Sequence, residues 1–229
     1  MGRSARTARR VRGAKAARRA GRGRSARLGD TAIAAVTVVA LGSAVWLLGG
    51  SGTHAPPQPA AAEGRPDPAG ERLSAPALAP SPPLRIRIPA IRVNAPLTGL
   101  ALTPSGSLDA PPPGQKNLAG WYEAGTTPGE RGTAIVAGHV DNTEGPAVFY
   151  NLGALKRDAR VEVDRRDGTV AVFTVDAVEV YPARGFPDDK VYGAAPRPEL
   201  RVITCGGGYS KATGYQGNVV VFAHLTGSR

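Results

Sequence analysis

Apolar and polar residues alternate through the C-terminal two thirds of the chain, as expected of strands that bury one face. Residues 84–88 alternate leucine and isoleucine with arginine, and residues 160–164 alternate valine with charged side chains. Successive side chains of a strand point to opposite faces of a sheet, so this pattern predicts half-buried strands. Alternation or short apolar runs predict further strands at residues 91–93, 133–137, 169–176, 177–181, 200–204 and 218–224.

The connections between these segments indicate a closed β-fold. Asp167 and Gly168 form a hairpin turn signal between two of the predicted strands. Seven or eight strands separated by short turns predict a mostly-β domain that forms a barrel or a sandwich. Helical signals are few: the pattern predicts one short helix at residues 148–155 and a helical turn near residues 119–124.

An uncharged segment near the N-terminus predicts a membrane anchor. Residues 31–50 contain no charge, and 20 helical residues rise about 30 Å, the thickness of a hydrocarbon core. Residues 1–27 hold 11 of the 29 basic residues and no acid, whereas the rest of the chain carries 18 residues of each sign. The positive-inside rule therefore predicts a cytoplasmic tail at residues 1–30 and an exported remainder.

Two other interpretations of this region compete with the anchor. A cleaved signal peptide would also combine a basic start with an apolar segment, and the three alanines at residues 60–62 offer a cleavage site. The basic run would also attract nucleic acid, but its place next to an apolar segment is explained more simply by orientation and by anionic lipid. We therefore expect contact with membrane lipid through residues 31–50 and no nucleic-acid partner.

The segment that follows is expected to act as a spacer. Residues 51–83 contain nine prolines and eight alanines, too little apolar bulk to offset the entropy of ordering the chain. This composition is typical of a semi-rigid linker with polyproline II character. The predicted organisation is a basic tail at residues 1–30, an anchor at 31–50, a linker at 51–83 and a folded domain at 84–229.

The single cysteine is the first candidate for chemistry. Cys205 ends the predicted strand 200–204 and precedes three glycines, where a substrate can approach its thiol. A free cysteine is more often a buried structural residue, but in an exported protein an unpaired thiol is open to oxidation. One cysteine and three widely spaced histidines give no basis for a disulfide or a metal centre, and we expect no metal or organic cofactor.

His139 is the second candidate, because it ends the predicted strand 133–137 and opens a loop. Asp141 lies close enough in sequence to orient its ring, whereas His54 lies in the linker and His224 lies near the end of the last strand. A cysteine and a distant histidine at two strand ends form the minimal pair for acyl transfer through a thioester. Such a pair also needs a group that stabilises the tetrahedral oxyanion.

Several short motifs around these residues resemble the sortases, and their joint order is similar to the actinobacterial class F sortases. The Thr204–Cys205 strand end resembles a Thr-x-Thr-Cys motif in which Val202 takes the first threonine position. The other matching segments are 138–141 (GHVD), 145–150 (GPAVFY), 186–187 (FP), 191–193 (VYG), 200–207 (LRVITCGG) and 218–223 (NVVVFA). The resemblance implies an eight-stranded sortase barrel, a His–Cys–Arg site and transpeptidation at an LPXTG-like sorting signal.

One departure from the family pattern concerns the arginine. Residues 206–223 contain no arginine, and the position at which the family carries it is occupied by Asn218. An asparagine amide can donate a hydrogen bond to an oxyanion without supplying a charge. Arg184 and Arg201 are alternative cations, and Lys211 is the cation within the segment itself.

The sequence therefore predicts a single-pass membrane sortase with an extracellular catalytic domain, in which Cys205 is the nucleophile, His139 the acid and base, and Asn218 the oxyanion donor. Its expected partners are secreted proteins with LPXTG-like signals and an amine of a peptidoglycan precursor. A catalytically impaired sortase-like module that binds wall peptides or sorting signals is the alternative. A third option is an L,D-transpeptidase, whose site resembles a Ser-His-Gly-Cys arrangement with His and Cys two residues apart. Here His139 and Cys205 are 66 residues apart, which argues against this option.

Overall fold

Strand pairing in the computed structural model, which describes residues 55–60 and 74–229, closes a barrel of eight strands. The strands in chain order are β1 (Pro83–Ile88), β2 (Val93–Leu100), β3 (Ala119–Tyr122), β4 (Gly132–Gly138), β5 (Asp141–Asn142), β6 (Gly145–Pro146), β7 (Arg160–Arg165), β8 (Val170–Pro182), β9 (Pro198–Ser210) and β10 (Gly214–Ser228). Around the barrel the order is β1-β2-β3-β4-β9-β10-β8-β7, while β5 and β6 pair separately. The predicted mostly-β, eight-stranded barrel is confirmed.

Two strand pairs of the barrel are parallel, and both matter for the position of the loops. Strand β2 runs parallel to β3, and β4 runs parallel to β9, whereas the other pairs of the barrel are antiparallel. Parallel neighbours end at the same edge of the sheet, so the residues that follow β4 lie beside the C-terminal part of β9.

The barrel interior is filled by alternate side chains of the strands. Ile86 and Ile88 of β1, Val161 and Val163 of β7, and Phe173 of β8 are fully buried there. The alternation noted in the sequence of β1 and β7 therefore separates a core face from an outer face.

Two of the predicted helical segments differ in the structure. In the structure, the predicted helix at 148–155 is a turn followed by one 3-10 turn, Leu152–Ala154. The Pro57 carbonyl oxygen packs so closely on this turn that a Cβ at Gly153 would lie 2.0 Å from it. The helical turn predicted near 119–124 is wrong: these residues contain β3, because Ala119 and Trp121 are buried and pair with both neighbours. A four-residue strand is too short to show its period in the sequence.

Part of the predicted linker is ordered on the barrel. The backbone N–H of Ala75 donates to the carbonyl of Leu225 at 2.9 Å, and that of Leu78 donates to Gly129 at 2.9 Å. Arg197 Nη1 donates to the Ser74 hydroxyl at 3.1 Å. Residues 74–78 of the predicted linker thus contact the barrel, ahead of the predicted domain boundary at 84.

The remaining N-terminal predictions concern other residues. The basic tail at 1–30, the anchor at 31–50 and residues 51–54 and 61–73 of the linker lie outside the described residues. Within residues 55–60 and 74–229, no helix has the length and apolar character needed to cross a membrane.

A second apolar cluster lies on the outer face of the barrel and supports the site. Its buried members, which we call the outer cluster, are Ile135, Ala177, Val191, Ile203, Val220 and Phe222. Val191 comes from the short helix α1 (Asp188–Tyr192), which the sequence pattern did not predict. The Thr133 hydroxyl donates to the carbonyl of Gly193 at 2.7 Å and ties the end of α1 to β4.

Candidate active site

Cys205 lies on the outer face of β9, directly beyond the outer cluster. Val202 and Thr204 are buried, Ile203 belongs to the outer cluster, and Cys205 is exposed. In the antiparallel pairing of β9 with β10, Cys205 is directly opposite Asn218. Directly paired residues place their side chains on the same face, so Asn218 flanks the thiol.

His139 is the first residue after β4. The parallel register pairs Ala137 with Ile203, and its continuation by two residues brings His139 beside Cys205. The Thr204 hydroxyl of β9 holds the end of β4 in place, because it donates to the carbonyl of Gly138 at 2.8 Å. The pairing of β4 with β9 thus brings two residues that are 66 positions apart in the chain to the same edge of the sheet.

The ring of His139 is oriented by a backbone group. Its Nε2 lies 2.7 Å from the carbonyl oxygen of Pro111. A carbonyl oxygen can only accept, so Nε2–H donates in this contact, and in the neutral imidazole Nδ1 is then the acceptor. The sequence predicts that Asp141 orients this ring, but in the structure Asp141 Oδ2 accepts a hydrogen bond from the Tyr215 hydroxyl at 2.5 Å.

The surroundings of the thiol favour its neutral form. Packing against neighbouring atoms raises the pKa of the Cys205 thiol, and the negative charge of Asp141 raises it further. Desolvation and the bond to Asp141 likewise raise the pKa of Tyr215. Because the thiolate is the reactive form, Cys205 needs a base to remove its proton at neutral pH.

A groove of about 1160 Å³ begins at these residues and runs along the outer face of β4. Its walls come from the β2–β3 loop, from β4, and from the segment around α1. The lining residues used below are Leu108, Pro111, Tyr122, Ile135, Ala137, His139, Tyr192, Ile203, Cys205 and Asn218. Arg131, which precedes β4, lies at the far end of the groove.

The candidate arginines do not meet the thiol. Arg201 is 6% exposed, pairs with Glu199 at 2.7 Å (Nη2 to Oε2), and lies 4.6 Å from the centroid of the Phe222 ring. Arg184 is exposed, and neither arginine lines the groove. Arg131 does line it, but the eight residue steps from Arg131 to His139 span about 26 Å of extended strand. Of the residues considered as oxyanion donors, Asn218 is therefore the one directly opposite Cys205, rather than Arg131, Arg184 or Arg201.

Sequence reasoning missed two groups at this site. Nothing in the sequence indicates that the Pro111 carbonyl meets His139, because this contact depends on the path of the β2–β3 loop. Tyr215 was also missed, although an aromatic residue in a hairpin next to a candidate nucleophile is a detectable signal.

A thiol, an imidazole and an amide at one end of a long groove are the parts required for acyl transfer from an extended peptide. Residues 86–226, more than half of the chain, match the family model described as the sortase domain. This chain belongs to the sortase family. Its sequence matches none of the curated proteins with which it was compared.

Solved structures of other sortases are similar to this sortase. Sortase A of Listeria monocytogenes has a TM-score of 0.47 and 15% identity, over 66% of this chain and 90% of that one. Sortase A of Corynebacterium diphtheriae has a TM-score of 0.46 and 20% identity, over 64% of this chain and 62% of that one. A sortase D5 transpeptidase of Clostridium perfringens has a TM-score of 0.47 and 20% identity, over 64% and 79%.

Proposed function

We propose that this sortase is a membrane-anchored, class F-like cysteine transpeptidase that cleaves a Thr–Gly bond in an LPXTG-like sorting signal. Membership of the family implies a cell-wall transpeptidase. The observation that supports a cysteine mechanism is that His139 and Cys205 follow paired residues of the parallel strands β4 and β9 and line one groove, with Asn218 opposite the thiol.

The first half of the proposed reaction forms a thioester. His139 Nδ1 takes the thiol proton, and Cys205 Sγ attacks the carbonyl carbon of the substrate threonine. The Asn218 amide donates a hydrogen bond to the oxyanion that develops there. His139 then protonates the leaving glycine nitrogen, the C–N bond breaks, and the acyl group remains on sulfur.

The groove supplies a binding surface for the sorting signal. Leu108, Ile135 and Ala137 line it with apolar atoms, and Tyr122 and Tyr192 add two aromatic rings. An extended peptide of about eight residues matches the roughly 26 Å between His139 and Arg131. This shape supports an extended peptide segment as substrate, and we propose that this segment belongs to a secreted protein.

The second half of the proposed reaction transfers the acyl group to an amine of a peptidoglycan precursor. Residues 31–50 are proposed to hold the enzyme in the cell membrane, with residues 1–30 in the cytoplasm and the catalytic domain outside. The charge asymmetry of the sequence supports this orientation. The class F subtype rests on the motif resemblance at residues 138–141, 145–150 and 200–207.

Peptide cleavage tests the proposal. The full-length chain is incubated with a panel of LPXTG-like peptides, and mass spectrometry follows both the released C-terminal fragment and the acyl adduct on Cys205. We expect at least one peptide to give both products, and Cys205→Ala to give neither while remaining folded. Turnover that persists in Cys205→Ala would remove the thioester mechanism.

A second candidate function is a binding module with impaired catalysis, and the missing arginine favours it. The two functions differ in the state of the thiol. In a working enzyme a thiosulfonate or vinyl-sulfone probe should label Cys205 in a manner that depends on His139, and His139→Ala should lose that labelling. Equal labelling of both proteins, together with tight peptide binding and no cleavage, would support the binding module.

A further inference from the structure

Two tyrosines form an exposed aromatic surface just beyond the thiol. Tyr209 and Tyr215 are paired across the β9–β10 hairpin, and their ring centroids are 5.0 Å apart. Tyr209 is 61% exposed, which is high for a large aromatic residue. Neither tyrosine lines the groove, so this tyrosine pair lies on the other side of Cys205 from the proposed sorting-signal surface.

Asp141 adds a negative charge that contacts the tyrosine pair. Its Oδ2 accepts the Tyr215 hydroxyl, and its charge is close enough to act on the Cys205 thiol. Asp141 is partly exposed. Its charge acts on the ionisable groups of Tyr215 and Cys205, and no cation is paired with it among the residues that the structure describes.

Strand β9 carries no side chains of its own between Cys205 and the tyrosine pair. The three residues before Tyr209, residues 206–208, are glycines. Gly207 has a φ of 74°, in the region that favours glycine, at the point where the pairing of β9 and β10 shifts register. No side chain of β9 therefore stands between the sulfur and Tyr209.

We propose that Asp141, Tyr209 and Tyr215 form the subsite that binds the acyl acceptor, and that this acceptor presents a primary ammonium group. Carboxylate oxygens attract ammonium groups, and aromatic faces bind them through their quadrupole. The inference rests on the proposed function, since it assigns the second substrate of the same site. A protonated amine on a flexible side chain, such as that of lysine, has the charge and the reach that this surface fits.

The acceptor step balances without another reactant. The bound ammonium loses one proton to water and becomes an amine, whose lone pair attacks the thioester carbonyl carbon. An amide C–N bond forms, the C–S bond breaks, and the sulfur leaves with the bonding electron pair. His139 removes the second proton from the attacking nitrogen and returns it to the sulfur, which restores the thiol.

Ligand binding to an enzyme that cannot react tests the subsite independently of turnover. The chain has six tyrosines, so ring-labelled full-length Cys205→Ala protein gives few NMR signals, and Tyr209→Phe and Tyr215→Phe identify two of them. The probes are Nα-acetyl-lysine amide and its uncharged counterpart Nα-acetyl-norleucine amide. We expect the lysine compound to shift both signals and the norleucine compound to leave them in place.

Variants define the contribution of each group. Asp141→Asn keeps an acceptor for Tyr215 but removes the charge, and should weaken binding of the lysine compound about fivefold, the scale of one exposed ion pair. Tyr209→Ala should weaken binding several-fold as well. Two substitutions serve as matched controls. Asp189→Asn changes an exposed carboxylate on α1, and Leu84→Ala removes an apolar side chain that is 48% exposed on β1. Both variants should bind the lysine compound as the parent protein does.

The outcomes separate the two proposals. Absence of any shift with the lysine compound, or equal shifts with both compounds, would overturn the subsite. Binding that is unchanged within twofold in Asp141→Asn and in Tyr209→Ala would also overturn it. Failure of every sorting peptide to acylate Cys205 would contradict the proposed transpeptidation, and the NMR titration would still decide whether the tyrosine pair binds ammonium groups.

Discussion

Asn218 lies directly opposite Cys205 in the pairing of β9 with β10, so its neutral amide is expected to donate a hydrogen bond to the developing oxyanion. Asn218→Ala should lower kcat/KM by about 10–10³-fold, the range for loss of one oxyanion donor. The loss should fall mainly on kcat, because the hydrogen bond strengthens in the transition state. Steady-state kinetics with one cleaved peptide measures both constants.

Arg184→Ala and Arg201→Ala serve as the comparison for this prediction. Arg184 is exposed away from the groove, so its removal should leave kcat/KM within twofold. Arg201 stacks on Phe222 and pairs with Glu199, so its removal should lower the stability of the domain rather than act on the oxyanion. A hundredfold loss in either arginine variant beside a normal Asn218→Ala would contradict the assignment.

The thiol of Cys205 should react at a higher pH than an ordinary cysteine. Desolvation by the atoms packed around the thiol and the Asp141 carboxylate raise its pKa, so at any given pH a smaller share is thiolate. The rate of modification by a methanethiosulfonate reagent should therefore rise at higher pH than for free cysteine. Asp141→Asn removes one of the two causes and should move the midpoint to lower pH. A midpoint below that of free cysteine would show that the thiolate is stabilised instead.

At the scale of elements, the parallel contact between β4 and β9 positions the two catalytic candidates. Thr204→Val keeps the shape of the side chain and removes the hydroxyl that donates to Gly138, next to His139. The unpaired carbonyl should lower the free energy of unfolding by about 1–3 kcal/mol. It should also lower kcat, because His139 loses its fixed distance from Cys205, while KM changes little.

Urea denaturation and peptide kinetics on the same samples test this prediction. Thr174→Val is the matched control, because the Thr174 hydroxyl pairs with Thr226 on β8 and β10, away from the groove. It should affect stability and leave kcat unchanged. If Thr204→Val loses stability and keeps its full kcat, the β4–β9 contact is structural and does not position His139.

The parallel contact between β4 and β9 also shows which parts of the site could be predicted from the sequence and which could not. Cys205 and His139 were each recognisable from a strand end, but their meeting depends on a parallel pairing across 66 residues that no local pattern encodes. Strand β3 was missed because four residues do not establish a period, and α1 because five residues do not form an amphipathic pattern. Contacts through backbone atoms, such as Pro111 with His139, leave no trace in side-chain chemistry.

At the scale of the whole molecule, the distribution of charge predicts its orientation. Because 11 basic residues precede the uncharged segment 31–50, the tail should remain inside the cell and the barrel outside. Protease added to intact protoplasts should remove residues 84–229 and leave the basic tail protected. Protection of the barrel would mean the opposite orientation, and a barrel released into the medium would favour a cleaved signal peptide.

The contact of Ala75 with Leu225 lies far from the reactive sulfur. Strand β10 runs from Asn218, beside the thiol, to Leu225, whose carbonyl accepts the Ala75 N–H. The seven residue steps from Asn218 to Leu225 span about 23 Å of extended strand. A fluorescent label attached at residue 75 would therefore stand well away from the thiol and leave the approach of a peptide to the groove unobstructed.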